Sequence, residues 1–218
     1  MSSYRDESDP GEVFPASLFA VNSLFCPGCR QAIREPVEKC PACGYSGASA
    51  VDKFPFAAPA MERFIDPDNH LDVSDWEKID RVLNELEENY PQVRFCFCLV
   101  DLVESTDPRE FGFWLMNASP VRSPVEERLR PWTVLVLVDH ACGRVSITSG
   151  YAIEPFLNEE GWRSLLRLEE RFFREGDYGS ALLRFAKGAA NVLGEAEKRV
   201  SNELSAWGRR RKRKEAAW

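Results

Sequence analysis

Val93-Arg-Phe-Cys-Phe-Cys-Leu-Val-Asp-Leu102 is a nearly continuous run of apolar, β-prone residues, without the polar alternation of a strand that faces water on one side. It is predicted to be a central strand buried on both faces. Trp132-Thr-Val-Leu-Val-Leu-Val138 repeats the pattern, and a helical stretch from about Pro108 to Ala118 and a Pro- and Arg-rich loop lie between the two. Strand, helix, strand implies a parallel crossover. Ala141-Cys-Gly143 then turns the chain into Arg144-Val-Ser-Ile-Thr-Ser149, whose alternation fits an antiparallel hairpin partner, so a mixed sheet is expected.

Helices flank this centre. Ser74-Asp-Trp-Glu77 reads as a capping box, followed by an apolar stripe of Trp76, Ile79, Val82, Leu83 and Leu86 that Pro91 ends. Further helices are predicted near 159–174 and 178–206, the last capped by Asp177 and striped by Leu182, Phe185, Ala189, Val192, Ala196, Val200 and Leu204. The fold class is therefore α/β: a three-layer α/β/α sandwich with a mixed sheet, preceded by a small zinc ribbon. The chain divides into a leader at 1–20, the ribbon at 21–48, an extended linker at 49–63, the α/β domain at 64–206 and a basic tail at 207–218. The linker's Phe54-Pro-Phe-Ala-Ala-Pro59 is expected to lay its aromatics against the domain.

The ribbon is read from cysteine spacing. Cys26-Pro-Gly-Cys29 is followed ten residues later by Cys40-Pro-Ala-Cys43-Gly44, and the total of seven cysteines is odd. Paired CxxC units point to reduced thiols around a metal rather than to a disulfide framework. Four thiolates make a closed tetrahedral site with no position for water, the arrangement of structural zinc. Iron in a rubredoxin-like site is the competitor, and Phe25 and Tyr45 are few aromatics for such a centre. So short a segment cannot bury its own core, so the metal should supply most of its folding free energy.

Composition and charge narrow the function further. Hydrophobic residues at 44% and aromatics at 11% of 218 residues describe a folded protein, not a disordered one. Residues 61–200 carry 17 basic and 26 acidic side chains, while residues 201–218 carry 6 and 2. An acidic body repels polyanions, so contact with nucleic acid or an anionic membrane surface would fall to Arg209-Arg-Arg-Lys-Arg-Lys214. The plain reading of that block is a solvated end complementing the helix dipole. No transmembrane segment or signal peptide is expected, and the expected location is cytoplasmic, peripheral to a membrane if the tail binds lipid.

Asp66 and Leu71 before the first helix, the buried strand pair, the hairpin entering Gly150-Tyr-Ala-Ile-Glu154 and the later Gly176-Asp-Tyr178 together resemble the TPM family over about residues 64–194. That family includes thylakoid-lumen and photosystem-repair proteins, an animal receptor modulator and many bacterial members. The resemblance implies an α/β/α sandwich, often membrane-associated, that acts as an accessory factor; some members carry a divalent metal or are labelled phosphatases. Here Gly150-Tyr151-Ala152 stands where the family usually has Gly-Tyr-Gly, and Arg130-Pro131-Trp132 replaces its Asp/Asn-rich turn.

In open α/β sheets ligands gather beyond the carboxyl ends of parallel strands. Asp101 and Asp139 fall there, and with Asp66, Glu104 or Glu154 they could form an oxygen-rich site for calcium or magnesium, as a phosphoryl-transfer enzyme would use. The bland reading is ordinary solvated or capping carboxylates. Cys96 and Cys98 are expected in the core, His70 on a polar surface loop, and His140 with Cys142 as a weak nucleophile pair. The leading expectation is an accessory protein with a structural four-cysteine zinc ribbon, docking onto a protein partner. The alternative is a divalent-metal-dependent phosphatase.

Overall fold

The computed structural model describes residues 24–33, 37–153 and 159–215, so the leader, Glu154 and the last three residues of the tail lie outside it. A four-stranded sheet forms the centre, its strands lying side by side in chain order. Its strands are β3 (Phe64–Ile65), β4 (Arg94–Val100), β5 (Thr133–Asp139) and β6 (Arg144–Ser149). The first three run parallel and β6 returns antiparallel to β5, giving the expected mixed sheet. The short β3 was not foreseen, because two residues are too few to show alternation.

The pleat of β4 and β5 divides their side chains between two cores. Phe95, Phe97, Leu99, Val134, Val136 and Val138 face one side, where they pack with Ile79, Leu83, Trp162, Leu182, Phe185 and Ala189. Those partners belong to α2 (Val73–Asn89), α5 (Glu159–Glu175) and α6 (Tyr178–Glu215). Cys96, Cys98, Leu135 and Leu137 face the other side, against Phe111, Trp114 and Leu115 of α3 (Pro108–Ala118). That helix makes the parallel crossover from β4 to β5, completing the α/β/α layers. It approaches β6 closely enough that a Cβ on Gly112 would lie 2.6 Å from Thr148 Oγ1.

The ribbon is part of the second layer. β1 (Leu24–Phe25) and β2 (Ala32–Ile33) pair antiparallel, and α1 (Gly47–Lys53) follows. Cys26, Ile33, Cys40, Tyr45, Ala50 and Phe54 share one core with α3 and the sheet. The ring of Phe54 lies 5.2 Å from that of Trp114, Phe56 lies 4.9 Å from it, and Tyr45 meets Phe113 edge-on at 5.8 Å. Lys53 is ion-paired with Glu110, tying α1 to α3.

Four local expectations differ from the structure. The linker is not wholly extended, because Ser46 and Ser49 cap each other reciprocally and start α1, while its aromatics do pack as expected. Ser74 is not a cap: α2 begins at Val73 behind an extended Asp72, which places Ser74 inside the first turn. The Pro- and Arg-rich loop holds α4 (Pro124–Leu129) and a short 3-10 turn, Arg130–Trp132. Ser123 caps α4 by accepting from the Glu126 N–H, and the proline at the first helical position needs no donor. Finally, α6 continues to Glu215, into the basic block. Asp177 does cap it, accepting from the Ser180 N–H at 3.0 Å.

Candidate metal centre

Both cysteine knuckles are built alike. The Arg30 N–H donates to the Cys26 carbonyl at 2.8 Å, and the Gly44 N–H donates to the Cys40 carbonyl at 2.8 Å. Each turn ends in a positive φ, 75° at Gly44 and 61° at Arg30, so the first knuckle places an arginine where the second has its glycine. Gly28 serves space instead: a Cβ there would lie 3.3 Å from the Tyr45 ring.

The four sulfurs converge. Cys26 and Cys43 are 3.6 Å apart and Cys29 and Cys40 are 3.7 Å apart, with all four within 4.8 Å of one another. Sulfurs each about 2.3 Å from one zinc stand about 3.8 Å apart, whereas disulfide sulfurs are bonded at about 2.05 Å. The donor set fits a tetrahedral zinc. Burial pushes the Cys26 thiol up to about 12. At Cys40 burial acts the same way but is outweighed by hydrogen bonds from the Cys43 and Ala42 backbone and from Cys26 and Cys29, which bring it to about 7. When bound, zinc would cross-link Cys26, Cys29, Cys40 and Cys43 and hold them as thiolates.

The three strand-end carboxylates have separate roles. Asp66 accepts from the N–H groups of His70 and Leu71, both at 2.9 Å, and so shapes the β3–α2 loop. Asp139, 0% exposed, accepts from the Leu102 N–H at 3.1 Å and from Arg144 Nε at 2.8 Å. Asp101 remains, its side chain 49% exposed, with His140 Nδ1 at 2.9 Å and His70 Nε2 at 4.0 Å. The structure thus brings Asp101 together with two histidines rather than with Asp66 and Asp139.

His70 is mostly buried and stacks on His140 at 4.2 Å, and the Tyr178 ring stands edge-on to both imidazoles. Burial, then the charges of Asp101 and Asp139, push the Tyr178 phenol upward. Sequence reasoning set His140 beside Cys142 and His70 on a loop, and did not pair the two histidines. The available signal was their position, since the chain's two histidines each follow a parallel strand, β3 or β5. Cys142 is exposed, and the His140 Nδ1 is turned to Asp101. Cys96 and Cys98 are core residues whose thiols burial pushes up to about 12. The Glu104–Arg109 stretch and Arg144–Ser146 line a pocket of about 450 Å³.

A mixed sheet between two helical layers, with its parallel strand ends open and a four-cysteine ribbon on one face, defines an α/β/α sandwich with a stapled cover. The TPM domain matches residues 64–192, more than half of the chain, and the chain belongs to that family. No curated protein matches it. Similar solved structures include the N-terminal domain of a protein from P.gingivalis, at 15% identity and TM-score 0.48, covering 70% of this chain and 94% of that one. BA42 from Bizionia argentinensis has 15% identity and TM-score 0.46, covering 60% and 86%. The N-terminal domain of cg2496 from Corynebacterium glutamicum has 10% identity and TM-score 0.45, covering 60% and 78%.

Proposed function

We propose that this protein is a non-enzymatic accessory factor in which a structural zinc ribbon holds one face of a TPM domain closed while the rest of the domain docks onto a protein partner. The ribbon's burial carries this reading. Two of the four cysteines are in the core shared with α3 and the sheet, and a closed four-thiolate site leaves no coordination position for a substrate. The apolar residues left outside supply docking contacts: Val73 and Trp76 are exposed at the start of α2, where Trp76 packs on Phe64 of the edge strand.

The second reading is a divalent-metal-dependent phosphatase, favoured by the pocket that has Arg109 and Arg144 in its wall. Both guanidiniums are engaged by carboxylates, Arg109 by Asp107 and Arg144 by Asp139, which leaves them poorly placed to clamp phosphate. One assay separates the readings. The full-length protein, carrying one zinc, should release no phosphate from p-nitrophenyl phosphate with added magnesium, calcium or manganese, and a photo-crosslinking residue at Trp76 should give a discrete adduct in cells that the same residue at Glu88 does not. Metal-dependent turnover lost in Asp101→Asn, with folding intact, would instead establish the phosphatase.

A further inference from the structure

His70, Asp101 and His140 arrive from three different places in the sequence, one beyond the carboxyl end of each parallel strand. Their ligand atoms all lie within 4.8 Å of one another. Nitrogen and oxygen ligands at about 2.0–2.1 Å from one zinc stand about 3.3 Å apart. The 2.9 Å from His140 Nδ1 to Asp101 Oδ1 and the 4.0 Å from His70 Nε2 to the same oxygen bracket that separation. Ring shifts on the order of half an ångström would reconcile them.

An independent observation points to a ligand. His70 Nε2 is closed off from solvent and has no hydrogen-bond partner, although it is directed at Asp101. A buried ring nitrogen left without a partner is disfavoured, and an ion between the two groups would satisfy it. The surroundings are built to hold the trio. Asp66 fixes the backbone of His70, Asn69 takes a positive φ of 57° beside it, the His140 N–H is anchored on the Val100 carbonyl at 2.9 Å, and Asp139 grips the residue after Asp101.

We propose that His70, Asp101 and His140 form a second metal site, separate from the four cysteines, for a divalent transition ion of the zinc class. Two imidazoles and one carboxylate suit zinc and its first-row neighbours, whereas calcium and magnesium take oxygen ligands. His140 and Asp101 are about half exposed, so the ion has a side open to solvent. Three protein ligands leave a fourth position, which takes water or an anionic oxygen of a small ligand such as phosphate or a carboxylate. Tyr178, itself buried, packs against both imidazoles and backs the cluster. This site goes beyond the accessory reading, which stands or falls on the ribbon and on docking.

Cobalt(II) titration of the full-length, metal-stripped protein tests it, because thiolate ligands give intense sulfur-to-cobalt absorption and an imidazole–carboxylate site does not. The wild type should bind two equivalents, with the thiolate band complete after the tighter one. His70→Ala and His140→Ala should each weaken the second equivalent by at least about tenfold, leaving the thiolate band and the thermal midpoint unchanged. Saturation at one equivalent would overturn the site, as would a second equivalent that survives both histidine substitutions. Binding of calcium or magnesium, lost in Asp101→Asn but kept in both histidine variants, would also overturn it in favour of an oxygen-only site.

Discussion

Asp139 shows how a single position can mislead when read from type and place alone. It sits at a strand end, as a metal-binding aspartate would, yet it is fully buried and its oxygens are occupied by Arg144 and the Leu102 N–H. Removing Arg144 leaves a buried carboxylate with one neutral donor. Arg144→Met should therefore lose about 3 kcal/mol in urea unfolding, while Arg122→Met, at an exposed pair with Glu62, should lose less than about 1 kcal/mol. Asp107 makes a pH prediction. The Arg109 guanidinium chiefly holds its carboxyl below the ordinary 3.8, against burial and with help from the Arg109 N–H. A lowered folded-state value means that the stabilisation is complete above 3.8 and is lost as the pH falls through that lower value. Urea midpoints between about pH 5 and pH 2 should thus fall less steeply in Asp107→Asn than in the wild type. Parallel slopes would show that the pair contributes nothing.

The elements were legible where hydrophobic pattern or spacing is dense. β4 and β5 announce themselves by nearly continuous apolar runs rich in Phe, Val and Leu, the cysteine pairs by their separation, and α6 by its stripe and Asp177. What stayed hidden depends on tertiary contact: a two-residue strand, a serine pair that starts a short helix, and two histidines some seventy positions apart in sequence. The linker's Phe54 was expected against the domain, but the docking of the ribbon itself was not legible: Cys26, Ile33, Cys40 and Tyr45 share one core with Cys96 and Cys98. That attachment is testable by thiol labelling. In the zinc-loaded protein Cys142 should react readily with Ellman's reagent, while Cys96 and Cys98 stay inert because they are buried and hard to ionise. Chelation should expose Cys26, Cys29, Cys40 and Cys43 and speed the reaction of Cys96 and Cys98, because their cover loosens with the ribbon. If the two core thiols keep their rates after chelation, the ribbon does not shield the sheet.

At the scale of the whole molecule, charge and length are separated. The acidic body and the basic block differ in sign, and among the described residues no helix is long and apolar enough to cross a membrane. Contact with an anionic surface through Arg209–Lys214 is a proposal with a direct check. Full-length protein should sediment with phosphatidylserine vesicles at low salt and dissociate as salt rises, and a chain ending at Gly208 should stay in solution. Equal sedimentation of the two would assign the block to solubility alone. The 38 residues of α6 are the feature that joins these ends. At about 1.5 Å per residue the helix is about 57 Å long, with Tyr178 against the two imidazoles at its first turn and the basic block at its last. Its helical stripe is buried as far as Ala196, and Ser201 and Asn202 are exposed. A partner that grips the last turn is separated from the histidine end by the length of one helix. A vesicle and a small ligand could therefore be engaged at once without competing for room.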